Sequence, residues 1–179
     1  MYSIVFKKAS SQDVKEIRRI TRKAFENYAK EIGKKDKVDA LHETNDQILQ
    51  DIQYKHVYRC EVDGETAGAV RFEVLDQSIA YLSRLAVDPD IQSLGIGGLL
   101  LEKVRQECVA LGVRAITLYT ASKMRSAVAF YLKNGYYIHS ITRDKEYIRA
   151  FMVNELTNMD ELFDYESIVQ RGRQTAPLV

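Results

Sequence analysis

Apolar residues recur at helical spacing between residues 14 and 32, where Val14, Ile17, Thr21, Ala24, Phe25, Tyr28 and Ile32 fall on one side. Ser10-x-x-Asp13 precedes them as a capping box, and Gly33 with the charged run Lys34-Lys35-Asp36-Lys37 ends them. Thr44-x-x-Gln47 opens a shorter helix carrying Ile48, Leu49 and Ile52. Residues 2–7 read as a first strand. Residues 57–62 and 67–75 read as a hairpin about Asp63-Gly64. The Asp76-Gln77 turn then leads into a strand ending at Val87. Ile96, Leu99, Leu100, Val104, Cys108 and Leu111 form a helical stripe closed by Gly112. Strand 113–119, helix 123–134 and strands 136–142 and 146–153 complete the pattern. This order predicts an α+β fold: a mixed, mostly antiparallel central sheet of about six to seven strands flanked by about four helices. Residues 1–155 are expected to form that domain and 156–179 a C-terminal extension. In the extension, Leu162, Phe163, Tyr165, Ile168 and Val169 mark a helix that can dock, and 171–179 are expected to be disordered.

A chain of 179 residues suits one domain with a single substantial core. Hydrophobic content of 46% and charged content of 28% are those of a soluble globular protein. A net charge of +1 argues against a dedicated nucleic-acid surface. Cys60 and Cys108 stand far apart without metal spacing, and His42, His56 and His139 are equally scattered, so neither a disulfide nor a metal is expected. No secretory segment opens the chain and no apolar run approaches the roughly 20 residues of a membrane span. A cytoplasmic location is therefore expected, with no membrane or nucleic-acid partner; a homodimer is left open.

The chemistry concentrates in residues 81–100. An apolar strand, the Asp88-Pro89 turn and a glycine-bearing loop feed a helix start there. Unpaired N–H groups and the helix dipole make such an N-terminus an anion site, and Gly95 and Gly97 let a phosphate approach the main chain. A Walker loop needs Lys-Ser/Thr where Leu99-Leu100 follow Gly98, and a dinucleotide fingerprint needs glycine where Leu100 stands. What remains is Gln92-x-x-Gly95-x-Gly97 after Leu85-Ala86-Val87-Asp88-Pro89. A second block reads Ala127-x-x-Phe130-Tyr131-x-Lys133-x-Gly135-Tyr136.

Together the two blocks resemble the coenzyme A loop and the second signature of the GNAT N-acetyltransferase superfamily, over residues 4 to about 155. Met124 stands where members often carry Asn, which leaves one cofactor contact without its usual residue. The resemblance implies acetyl-CoA as co-substrate, no metal, and acyl transfer to an amine. It places Leu85, Ala86 and Val87 along the pantetheine arm at a strand splayed by a bulge, with the Leu85 N–H polarising the thioester carbonyl. Gln92, Ser93, Leu94, Gly95, Ile96, Gly97 and Gly98 would surround the pyrophosphate. Tyr131 would donate or share a proton with the departing thiolate as general acid.

A general base is also required, because an amine near 10.4 is mostly protonated at neutral pH. Among Glu73, Tyr81 and Ser83 on the central strands, Glu73 is the carboxylate and the candidate base. Arg84 is open to two readings, meeting an acidic group on the acceptor or facing solvent. Tyr28, Glu31, Glu43, Tyr119 and Tyr147 are candidates for the acceptor site, their carboxylates suited to a cationic amine. A peptide or a small-molecule amine remains open as acceptor. So do a non-catalytic acyl-CoA-binding sensor and transfer to a hydroxyl.

Overall fold

The structure, a computed structural model, describes residues 2–143 and 145–175. Its elements run β1 (Ile4–Lys8), α1 (Val14–Ile32), α2 (Asn45–Tyr54), β2 (His56–Val62), β3 (Glu65–Leu75), β4 (Ile79–Val87), α3 (Ile96–Ala110), β5 (Ala115–Ala121), α4 (Arg125–Lys133), β6 (Tyr137–Thr142), β7 (Arg149–Glu155) and α5 (Tyr165–Thr175). The local signals act as expected. Gln47 N–H donates to Thr44 Oγ1 at 3.2 Å, and Thr44 N–H donates to Gln47 Oε1 at 2.9 Å, closing the capping box of α2. Asp63 and Gly64 both take positive φ, 50° and 89°, as a tight hairpin between β2 and β3 requires.

The seven strands form one sheet in the order β1-β2-β3-β4-β5-β7-β6. β4 and β5 run parallel, and the other neighbouring pairs are antiparallel. Alternate side chains on each strand face opposite sides. On one face Phe72, Leu82, Ile116, Leu118 and Met152 pack with Ile96, Leu100, Val104 and Cys108 of α3 as the main core. On the other, α1 and α2 cover Val57 and Ala69 through Val14, Ile17 and Ile48. Further along that face α5 covers Ile79, Ala115, Phe151 and Val153 through Tyr165, Ile168 and Val169. Arg71, Glu73, Tyr81, Ser83 and Tyr119 share the parity of this second face and lie between its two helical covers. Among the described residues no helix is long and apolar enough to cross a membrane.

Two expectations need correction. β7 begins at Arg149 rather than 146, because residues 145–147 bend to place Lys145 against Asp39 and Glu146 against Lys37. The expected disorder of 171–175 is not found: α5 continues to Thr175. Tertiary contact explains this, for a Cβ built on Gly172 would lie 2.7 Å from Leu75 Cδ2, so the missing side chain lets the helix rest on β3. Residues 176–179 lie outside the described residues.

Cys60 and Cys108 are fully buried, and burial pushes their thiols up to about 11 and about 12. Neither is expected to react with a thiol reagent at pH 8 in the folded protein, and both to react in denaturant. A titration with a chromogenic disulfide before and after denaturation measures this; a fast-reacting native thiol would contradict the burial.

Candidate active site

The pairing of β4 with β5 stops early. Its register runs Ile79↔Ala115, Ala80↔Ile116 and Tyr81↔Thr117 and goes no further, although β4 continues to Val87 and β5 to Ala121. Thr117 Oγ1 donates to Ala80 O at 2.9 Å at the end of the paired segment. Past that point residues 82–87 present an edge that pairs with no strand on the β5 side among the described residues. The β3 side is irregular there too. Arg71 pairs with Ser83 and Ala69 with Ala86, so Arg84 and Leu85 together oppose Val70, a β-bulge with one extra residue on β4. Arg84 holds the bulge at φ 53°, an uncommon backbone state for a side-chain-bearing residue.

What holds that strained residue is a part-buried ion network. Arg71, only 1% exposed, donates to both carboxylate oxygens of Glu43 at 2.9 and 3.0 Å and to Asp51 Oδ2 at 2.7 Å. Arg84 Nε donates to the same Glu43 carboxylate at 2.7 Å. Glu43 therefore ties the segment before α2 to the bulge on β4, and the Nε of Arg84 is taken up by a carboxylate of the protein itself. Glu43→Gln keeps the shape but leaves Arg84 with a neutral amide and Arg71 with Asp51 as its remaining carboxylate partner among the described residues. A loss of about 2 kcal/mol in unfolding free energy is expected, as for charge-assisted hydrogen bonds. Denaturant unfolding measures it, and an unchanged midpoint would show that the network holds nothing in place.

After the bulge the chain turns through a short 3-10 segment, Pro89–Leu94, into α3. Gln92 and Ser93 fall in this turn, and Leu94 packs against the main core. Gly95, the N-cap, sits at φ 70°, a left-handed conformation that suits glycine. The loop is anchored from α1: Lys23 Nζ donates to Asp88 at 2.6 Å and to Asp90 at 2.7 Å. Burial works to raise the Asp88 carboxyl, but the bond from Lys23, the Asp90 N–H and the charges of Lys23 and Arg19 outweigh it and hold Asp88 below its ordinary value.

These segments border a cavity of about 740 Å³ between β4, β5, α1, α3 and α4. Leu85, Val87, Gly95, Gly97 and Gly98 line it, whereas the Ala86 and Ile96 side chains are buried in the core and only their main chain is available. Tyr131 lines it from α4. Its ring is wedged edge-on against Phe130 and Tyr136, at centroid distances of 5.2 and 5.6 Å. No described residue hydrogen-bonds its hydroxyl. Burial, with a smaller contribution from nearby Tyr81, pushes the phenol above its ordinary value, so it stays protonated and keeps a proton to donate.

Met124 lines the same cavity, as does Asn134, whose Nδ2 donates to Phe130 O at 2.7 Å. Toward the far end stand Tyr28, Glu31, Tyr119 and Tyr147, with Tyr28 Oη accepting from Ala121 N–H at 2.8 Å. Glu43 does not line the cavity, being taken up by Arg71 and Arg84. Glu73 opens instead onto an adjoining cavity of about 140 Å³ with Asp51 and Lys55, and Lys55 Nζ is 3.6 Å from its carboxylate. Tyr81, Ser83, Arg84 and Arg173 border both spaces. Sequence reasoning did not find Arg71, Asn134, Arg149 or Arg173. Arg71 alternates with apolar neighbours on β3 as any solvated residue would, and the two later arginines become site residues only through the docking of β7 and α5.

A sequence profile described as the acetyltransferase (GNAT) family matches residues 14–136. The chain belongs to that family. Two curated relatives carry the match further. The [ribosomal protein bS18]-alanine N-acetyltransferase of Salmonella typhimurium is 35% identical over 82 residues, 46% of this chain and 54% of the relative. An uncharacterised N-acetyltransferase of Methanocaldococcus jannaschii is 25% identical over 99 residues, 52% of this chain and 41% of the relative. The chain thus spans about half the length of these curated relatives. Among solved structures, the PaiA N-acetyltransferase of Thermoplasma acidophilum in complex with coenzyme A superposes with a TM-score of 0.76 at 19% identity, covering 86% of this chain and 99% of that one. The ribosomal-protein-S18-alanine N-acetyltransferase of Escherichia coli superposes at 0.66 and 19% identity, covering 91% and 100%. At these identities the superpositions establish the GNAT fold, with its mostly antiparallel seven-stranded sheet. The matched segment of this GNAT chain ends at residue 136, so Arg149 and the whole of α5 fall beyond it.

Proposed function

We propose that this GNAT protein is an acetyl-CoA-dependent N-acetyltransferase that transfers the acetyl group to a primary amine by direct attack in a ternary complex. The observation that carries the reading is the Tyr131 hydroxyl, without a hydrogen-bond partner among the described residues, on a cavity bounded by the open β4 edge and the start of α3. Three features fit the parts of coenzyme A. The pantetheine amides can pair with the main chain of 85–87 as an added strand would. The pyrophosphate suits the N–H groups of loop 92–98 at the positive end of α3. The Leu85 N–H, in the bulge, is the donor assigned to the charge developing on the thioester carbonyl.

Amine attack on a thioester expels a thiolate, and Tyr131 is assigned to meet it. A thiol near 8.5 facing a phenol raised above its ordinary 10 makes full transfer more uphill than between unperturbed groups, so Tyr131 shares its proton and stabilises the thiolate rather than surrendering the proton early. The amine must arrive neutral. We assign its proton to water running toward Glu73 through the adjoining cavity, past Tyr81 and Ser83. The Glu73 carboxylate, 3.6 Å from Lys55 Nζ, is assigned as the terminal acceptor.

Saturating acetyl-CoA is expected to protect the protein thermally, by about 2.7 kcal/mol at 100 times its Kd. An amine panel followed by thiol release then tests turnover. Protection by ATP or NAD but not acetyl-CoA would overturn the cofactor assignment. Met124 in the cavity, where members often carry Asn, favours a second reading, an acyl-CoA sensor without turnover. Acetylation of any amine ends that reading.

A further inference from the structure

The charge of the cavity runs against a polycationic acceptor. Among the described residues six basic and two acidic side chains line it. Lys133 stands in the last turn of α4, near the start of α3 where the phosphates are assigned. The others lie toward the acceptor end, and three are already matched by carboxylates: Lys37 with Glu146 at 2.7 Å, Lys145 with Asp39 at 3.4 Å, Arg84 with Glu43 at 2.7 Å. Arg149 lies over the Tyr119 ring, 4.0 Å from its centroid. Arg173 is different. It is exposed, it borders both cavities, it lies 5.4 Å over the Tyr81 ring, and no carboxylate among the described residues pairs with it.

Tyr81 and Tyr119 meet edge to face at 6.2 Å, so the two arginines flank a pair of tyrosines on the floor of the acceptor end. The Arg173 guanidinium, resting on the Tyr81 ring face, keeps the N–H fork at its edge free for a planar anion. The helix that supplies Arg173 is held close by Gly172 on Leu75, so its placement is built into the docking of α5.

Resting on the N-acetyltransferase reading, we infer that the acceptor is a small amine that also bears a carboxylate, and that Arg173 of α5 receives the carboxylate while the amine faces the thioester. The acetyl group moves from sulfur to nitrogen, forming the amide and releasing the thiol, and the carboxylate takes no part in the bond changes. Arg173 is thus a specificity-determining residue on an element outside the family-matched segment.

Thiol release is measured with acetyl-CoA and two matched sets of acceptors: γ-aminobutyrate against butylamine and putrescine, and leucine against isoamylamine. In at least one set the carboxylate-bearing amine is expected to exceed its partners in kcat/KM by about ten- to hundredfold, the range of a charge-assisted contact. Arg173→Ala is expected to erase that preference through KM, and Arg173→Glu to turn it toward putrescine, with acetyl-CoA affinity unchanged in both. If Arg173→Glu melts below the wild type, Arg173→Ala carries the comparison. A wild type that prefers putrescine or the neutral amines, or a preference that survives both substitutions, overturns the inference and leaves an N-acetyltransferase standing. Absence of thiol release with every amine overturns the underlying reading, and this inference with it.

Discussion

Gly97→Glu is expected to lower acetyl-CoA affinity by about a thousandfold while the protein stays folded. Gly97 lies in the first turn of α3 with an ordinary φ, so its backbone accepts a side chain, and a carboxylate in that turn suits the helix dipole. Stability should therefore move by no more than about 1 kcal/mol. The side chain would enter the space assigned to the pyrophosphate. Like charges about 4 Å apart at a partly screened site repel by about 4 kcal/mol, which is about a thousandfold in Kd. A steric contribution has to be separated from the charge. A Cβ at Gly97 would lie 3.1 Å from Phe130 Cζ, so the ring must yield by a few tenths of an ångström, and Phe130 packs on Tyr131. Gly97→Ala carries that contact without the charge and is expected to lose only about tenfold. Calorimetric titration of both variants, alongside their melting curves, decides. Wild-type affinity in a folded Gly97→Glu protein would show that the loop does not bind the phosphates.

Much of this site was legible because it rests on local signals. Glycines in a loop before a helix, and a tyrosine at fixed spacing on the next helix, keep their meaning within any fold that forms those elements. The acceptor end was not legible, for reasons that lie in long-range contact. Nothing near Arg84 announces a residue at positive φ; the bulge is held there by Glu43, 41 positions away along the chain. Glu43 read as a candidate for a cationic amine because its partner Arg71, 28 positions on, cannot be inferred from either segment alone. The last residues of α5 are polar and glycine-interrupted, so local propensity argues against a helix there. Packing of Gly172 on Leu75 overrides that propensity, and with it the charge at the acceptor end changes sign from what the tyrosines and carboxylates near α1 suggested.

Tyr131→Phe is expected to lower kcat by about 10²–10⁴ with acetyl-CoA affinity nearly unchanged. The substitution preserves the ring that packs against Phe130 and Tyr136 and removes a hydroxyl with no hydrogen-bond partner among the described residues. No protein hydrogen bond is lost, so unfolding free energy should stay within about 1 kcal/mol of the wild type. A packing residue and a proton donor thus part company in one variant: the first predicts unchanged turnover, the second a large loss at unchanged stability. The raised phenol sharpens the contrast with pH. Because burial keeps Tyr131 protonated, the wild-type rate should climb as the acceptor amine loses its proton, without a falling limb from Tyr131 over the same range. The Phe variant should keep that rising limb at a lower plateau, since the amine still titrates and only the donor is missing. Steady-state kinetics across pH with an accepted amine, beside calorimetric acetyl-CoA binding, tests both statements. If the Phe variant turns over within about a factor of three of the wild type, Tyr131 is a packing residue, and the thiolate leaves with its charge met by water and the positive end of α3.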